Sequence, residues 1–362
     1  MGVLSRGPLS LGACGLAVLL GLTLARDAVA EAPPLEVQEV ADTGSMPKGA
    51  LLARDGSSFF VTDFGNRNGG NVTIYDARTL KLLHKLDVPG IVVESVLSPD
   101  GATLYVSNFE RGSVQAIDLA TGRVKRELTA GLHPKIMVLS ADGSKLFAAN
   151  WSGESVTELD TATGKTVRTL SVGLHPRGMA LTKAGKLFVA NFDGASIDVF
   201  DGPDLGHTYR LAVCRIPRHL ALSPDERTLY ISCYHDSELH ALDVETEIVT
   251  HVVKIGTNPK SIEVSTDGRY VFSADYGEDA HGMSVVDTTD WTARIFSIPG
   301  MDRGSGIAVT PDGQHALVTG WYDNHVYLVG FAGTGGHPEE AMKRIQGWVR
   351  RPHYHPPKAP GE

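Results

Sequence analysis

Cysteine is scarce in this sequence. Three occur in 362 residues, too few for a disulfide-built scaffold or a clustered metal centre. No Cys-x-x-Cys-His run is present, which excludes covalently attached c-type haem. Beyond residue 24 no apolar run is long enough to cross a bilayer as a helix. Positive charge is short as well. The 33 Lys and Arg against 42 Asp and Glu leave a net −9, so bulk nucleic-acid binding is not expected, although a local basic patch is compatible with that total. A nucleophile elbow, a phosphate-cradling Gly loop and a linear Ser-His-Asp spacing are all missing. In a ring of repeats catalytic residues come from separate repeats, so these absences weigh little against catalysis.

What the sequence has is a phrase repeated seven times. Its clearest copy is Ser98-Pro99-Asp100-Gly101, then Leu104 to Phe109, then Val114 to Asp118, then Ala120-Thr121-Gly122. Asp-Gly marks a tight turn, because Gly accepts positive φ and Asp bonds its own backbone. The β-branched and aromatic runs between turns read as strands. The turn anchors are Asp55, Asp100, Asp142, Ala184, Asp225, Asp267 and Asp312, with steps of 45, 42, 42, 41, 42 and 45 by subtraction. A period in the forties with four strand-like runs per unit predicts propeller blades. One blade cannot bury both faces of its sheet alone, so blades stack around an axis.

The second strand of each unit is the steadiest part. It reads Phe59 to Phe64, Leu104 to Phe109, Leu146 to Trp151, Leu187 to Phe192, Leu229 to Tyr234, Val271 to Tyr276 and Ala316 to Trp321. In these runs the chain resembles the YVTN-repeat β-propeller family, over roughly residues 35 to 331. The resemblance implies an all-β, seven-bladed propeller of four-stranded blades, in a family that also holds lactonase-like and haem-domain-like members. It says little of function, since fold does not fix function. The seventh unit has only three strand runs, ending at Phe331. Leu35 to Val40 is strand-like and unassigned. The N-terminal segment is therefore expected to supply the last blade's outer strand and remove an exposed edge.

Outside the ring, Arg6, the apolar run Leu9 to Leu24 and Ala28-Val29-Ala30 read as a secretory signal peptide over residues 1–30, cleaved after Ala30. A lipidated Cys14 is the rival, weakened by the short apolar stretch before it. Loss of residues 1–30 removes Arg6, Arg26 and Asp27, a net +1, leaving about −10 (−9 minus +1) on the mature chain. A periplasmic or secreted monomer is expected. The propeller spans 31–331 and the tail 332–362. The tail carries a short helix from His337 and a Pro-rich end in which His353 and His355 have no further ligand.

Strand alternation puts the Asp-Gly turns on one face of the ring. The start of each inner strand and the loop after each second strand lie on the other, where function is expected. A Pro-basic step recurs there: Pro47-Lys48, Pro134-Lys135, Pro176-Arg177, Pro217-Arg218 and Pro259-Lys260. Each cation stands seven residues before its anchor. Blade two breaks the pattern with Val93-Glu94, and blade seven offers Arg303. Like charges converging on an axis repel by about 1 kcal/mol per close pair in partly solvated surroundings. They call for an anionic ligand, or else for loop carbonyls or the carboxylates of Asp63, Asp275 or Glu94. An aromatic follows each second strand, with Trp151, Tyr234 and Trp321 as candidate ligand contacts; the alternative is inter-blade packing. His133 and His175 precede the Pro of blades three and four and join the candidates, while His219 and His235 share that face.

Cys214 stands where other units have Gly131, Gly173 and Gly256, and Cys233 where they have Asn or Asp. A disulfide in an oxidising compartment and two buried thiols both fit. No metal and no cofactor is expected. The functional expectation is an exported binding or scaffold propeller of the bacterial cell envelope. It would hold an anionic small molecule or an acidic protein segment over the cation-rich channel mouth. The alternative is a lactonase-like hydrolase using Arg177, Arg218, His219 and Glu94 on the same face.

Overall fold

The structure is a computed structural model that describes residues 33–348, apart from 68, 279 and 280. The signal-peptide reading, the lipidation reading at Cys14, and His353 and His355 fall outside the described residues. Seven four-stranded antiparallel sheets form the ring. Their inner strands are Pro47–Leu52, Val92–Leu97, Pro134–Leu139, Pro176–Leu181, Pro217–Leu222, Pro259–Val264 and Gly304–Val309. Each inner strand packs against its neighbours around the axis, the first against the last, so the ring is closed.

The second strands are apolar on both sides because each side meets a different neighbour. In blade two Leu104 and Val106 point into the seam with blade one. Tyr105, between them, points into the seam with blade three, beside Met137, Leu146 and Leu159. A period of two divided between two seams reads as one continuous buried run. The core is thus a set of inter-blade seams around the axis.

The last blade is built as the sequence implies. Leu35–Asp42 pairs antiparallel with His325–Phe331, from Leu35↔Phe331 to Asp42↔His325, with a bulge between Val37 and Glu39. The helix Pro338–Trp348 packs Ala341 and Ile345, both 1% exposed, into the same cluster as Val37 and Val40.

The turns follow their chemistry. Asp100 Oδ1 accepts from Ala102 N at 3.0 Å, and Gly101 takes φ 71. Blade five has Glu226 at the glycine position and forces it to φ 58, a conformation that disfavours a side chain with a Cβ.

A second repeating device ties each inner-strand lead-in to the end of the second strand. Gly44, Gly90, Gly131, Gly173 and Gly256 lie against Asp63, Asn108, Asn150, Asn191 and Asp275. A Cβ added to any of them would fall 2.1–2.7 Å from that side chain. In blade seven the acid comes from Asp323, whose carboxyl fills the space where a Gly320 Cβ would lie. In blade five the contact is covalent, a Cys214–Cys233 disulfide. Closing a loop over a separation of 19 residues is worth about 3 kcal/mol. Dithiol treatment should therefore lower the melting temperature without unfolding the ring. Calorimetry on oxidised and reduced chain checks this, and identical melts would remove the stabilising role.

Candidate functional site

The Pro-basic steps all reach one place. Lys48, Lys135, Arg177, Arg218, Lys260 and Arg303 line a single cavity of about 460 Å³ at one mouth of the ring. The inner strands start there, so the side chain after each Pro points across the axis. The five repeat cations are only 5–9% exposed.

Their neighbours are rings. Lys48 Nζ lies 5.0 Å from the Phe64 centroid and 5.1 Å from Trp321. Lys135 Nζ sits 3.5 Å over Trp151 and 5.6 Å from Phe109. Arg177 lies between Trp151 and Phe192, and Arg218 between Phe192 and Tyr234. Lys260 is 4.1 Å from both Tyr276 and Trp321. Cations and aromatics thus alternate around the mouth. The rings also touch one another across seams, as in Trp151–Phe192 at 5.2 Å. The aromatic after each second strand therefore packs between blades and also holds a cation, at about 0.5–2 kcal/mol per contact.

Ring faces offset only part of the electrostatic cost. Burial, followed by the charges of Arg177, Lys48, Arg218 and Lys260, holds the Lys135 ammonium well below its usual range. Burial and then Arg218 depress Arg177, against a smaller opposing pull from Glu94. Glu94 is the carboxylate that answers this cluster. Burial raises it, while Lys48, Arg177, Lys260 and Arg218 pull it down. Arg303 at the rim is paired to Glu278. Among the described residues six Lys and Arg and Glu278 line the mouth, with Glu94 in the space below, a formal excess of +4 (six minus two).

Asp63 and Asp275 are each held by hydroxyl donors of their own blade. Asp63 accepts from Thr43 and Thr73, and Asp275 from Ser273 and Ser284. His133 and His175 lie off the cavity lining. Each takes a left-handed φ, 55 and 52, which lays its ring on the preceding blade's aromatic: His133 on Phe109 at 4.1 Å and His175 on Trp151 at 4.6 Å. Trp151, Tyr234 and Trp321 do line the cavity, joined by Ile216 and Tyr322, which the repeat pattern did not single out.

Below the cations a narrower space of about 130 Å³ holds Glu94, Ser95, His219, Ser261 and Glu263. Burial, then Arg177 and Arg218, lowers His219 to about 4; its Nδ1 accepts from Ile262 N at 3.4 Å. Desolvation within the axial channel raises Glu263 to about 7, although its side chain keeps an open surface there. Glu263 was missed from sequence. Its one signal was alternation, which puts it on the same side of its strand as Ser261.

Comparisons with known proteins agree on architecture. Hydrazine synthase of Kuenenia stuttgartiensis superposes with a TM-score of 0.68 at 18% identity, covering 81% of this chain and 97% of that one, which shows the fold alone. Antigen Lp49 of Leptospira interrogans is 28% identical over 105 residues, 25% of this chain. The match spans 23%, about a quarter, of that relative's length. A family profile matches residues 93–326, most of the ring, and by it the chain belongs to the YNCE-like beta-propeller family.

Proposed function

We propose that this protein is an exported binding propeller of the cell envelope that holds an anionic ligand at the cationic mouth. The ligand is a small polyanion or the acidic segment of a partner protein. The leader read in residues 1–30 carries the export part of this reading. One observation supports the binding part: five cations, each at most 9% exposed, converge on one cavity at the mouth of the ring. Isothermal titration with citrate, pyrophosphate, an acidic peptide and a neutral sugar tests it. At least one anion should bind with an affinity that falls as salt rises, the sugar should not bind, and R177A/R218A should lose binding while staying folded. Binding of no anion, or binding that the double variant retains, would overturn the reading.

A pH dependence follows. Lys135 folds with its pKa below the unfolded value of 10.5, so the folded state holds fewer protons there and stability rises with pH. Asp63, Asp275, Asp323 and Glu263 act oppositely, but each is raised only to about 7, and Tyr75 and Tyr230, raised by burial to about 12, oppose the climb only as pH nears the unfolded tyrosine value of 10. Between roughly pH 8 and 10 the ligand-free melting temperature should climb, and a saturating anion should flatten the climb. A flat ligand-free profile would show that Lys135 is not destabilised.

The lactonase-like alternative keeps one observation in its favour. Glu94 and His219 face one space directly below the cations, an arrangement that suits general acid–base handling of water. Turnover of a lactone panel by the wild type, lost in E94Q, would favour it over simple binding.

A further inference from the structure

Blade five departs from the repeat at three positions that touch one another. In the other blades the acid or amide at the end of the second strand, or in blade seven Asp323 of the loop after it, is bonded by a third-strand residue two places past the partner of that strand end. Asn108 donates to Gln115 Oε1 at 3.1 Å, Asn150 to Thr157 Oγ1 at 2.8 Å and Asn191 to Asp198 Oδ2 at 3.0 Å. Ser284 donates to Asp275 Oδ2 at 2.6 Å, and Tyr327 to Asp323 Oδ2 at 2.7 Å. In blade five the glycine is Cys214, the acid or amide is Cys233, and the third-strand residue is His240. One structural unit has exchanged glycine, carboxamide and hydroxyl for two sulfurs and an imidazole.

We propose that reduction of the Cys214–Cys233 disulfide opens a three-ligand site for a thiophilic monovalent ion, Cu(I), formed by the two thiolates and His240. The two sulfurs and a ring nitrogen of His240 lie within 4.8 Å of one another, the one such cluster of His, Cys, Asp and Glu among the described residues. The imidazole is set up as a ligand. Its Nε2 faces Glu238 Oε2 at 2.9 Å, and Lys254 Nζ, 2.8 Å from Glu238 Oε1, steadies that carboxylate. Its Nδ1 is buried without a hydrogen-bond partner. A carboxylate on the far nitrogen is the usual means of fixing tautomer and orientation in a metal-binding histidine. Thiolate ligands select Cu(I) and Zn(II). Three donors in a buried pocket complete Cu(I), whereas Zn(II) wants a fourth ligand or a water. Cys233 is 0% and Cys214 7% exposed, which leaves little room for that water.

The chemistry balances. A dithiol reductant gives the disulfide two electrons and two protons and leaves as its own disulfide. The ion then displaces both protons from the two new thiols. The oxidised form seen here has no thiolate to offer, so the site is conditional on redox state.

The test uses the full chain. After reduction, with the fold verified by circular dichroism, Cu(I) is titrated anaerobically against a chromophoric Cu(I) chelator, and Zn(II) is titrated in parallel. The reduced chain should take up one more equivalent of Cu(I) than the oxidised chain, which carries the same histidine-containing tail and so sets the background. H240A keeps both cysteines and should lose that equivalent. E238Q should weaken it by about 10–100-fold. Equal uptake by oxidised and reduced chain, full uptake by H240A, or Zn(II) held as tightly as Cu(I) would overturn the proposal.

Discussion

Replacing Lys135 by methionine should make the ligand-free protein more stable, by about 1–3 kcal/mol, and weaken anion binding at least tenfold. Lys135 is 5% exposed, and the leading influences on its ammonium disfavour the charge: burial first, then Arg177, Lys48, Arg218 and Lys260. Removing this buried charge relieves desolvation and repulsion together. The offsetting loss is the contact with Trp151 at 3.5 Å, worth up to about 2 kcal/mol. A thioether recovers about 0.3–1.5 kcal/mol of it through sulfur–aromatic contact. K135M should also show a smaller rise in melting temperature between roughly pH 8 and 10, because Lys135 is gone and only Arg177 among the depressed cations remains. Calorimetry across pH, paired with titration of citrate or pyrophosphate, reads all three effects. A lower melting temperature at unchanged pH slope would mean that the ammonium holds the blades together and is not held in reserve for a ligand.

A stability cost gathered in one cavity is a common sign of a binding site, and the position of these cations was partly legible beforehand. The period located the cations because each stands seven residues before its turn. What the period could not supply was their surroundings. Loop carbonyls and Asp63 or Asp275 were as reasonable in sequence as the rings that in fact flank them. Only the seam geometry brings Trp321 of blade seven to Lys48 of blade one. His133 and His175 stand outside the cavity lining for a local reason. The residue before the Pro takes positive φ, and its side chain folds back over the preceding aromatic. Glu263 and His240 were illegible for a third reason. Glu94 comes to line the same space as the first, and Cys214 and Cys233 come beside the second, only once strand register is fixed. The fold was legible almost entirely, since turn chemistry and alternation repeat seven times and errors in one copy are corrected by the others.

Deleting residues 35–42 should lower the melting temperature by at least about 10 °C, the largest stability effect expected from any short change to the ring. The segment contributes Val37 at 3% and Val40 at 1% exposure to the last core cluster. Each buried valine is worth about 1.5–3 kcal/mol, and a kcal/mol shifts a domain of this class by about 2–4 °C. The loss spreads further. The helix Pro338–Trp348 packs Ala341 and Ile345 on the same cluster. Its N-terminal side is fastened by His337 N donating to Gln38 O at 2.9 Å, and Arg344 Nη1 donates to Val40 O at 3.2 Å. Without the strand the helix loses its seat, and His325–Phe331 becomes an open edge able to pair with another chain. The deletion should therefore also raise concentration-dependent aggregation. V40D is the milder companion: it keeps the strand's backbone and should fall between wild type and deletion. If the deleted chain melts within a degree or two of the intact one, the terminal strand is an ornament on a ring already closed by its inner strands. Stability would then have to be sought in the contact between Pro47–Leu52 and Gly304–Val309.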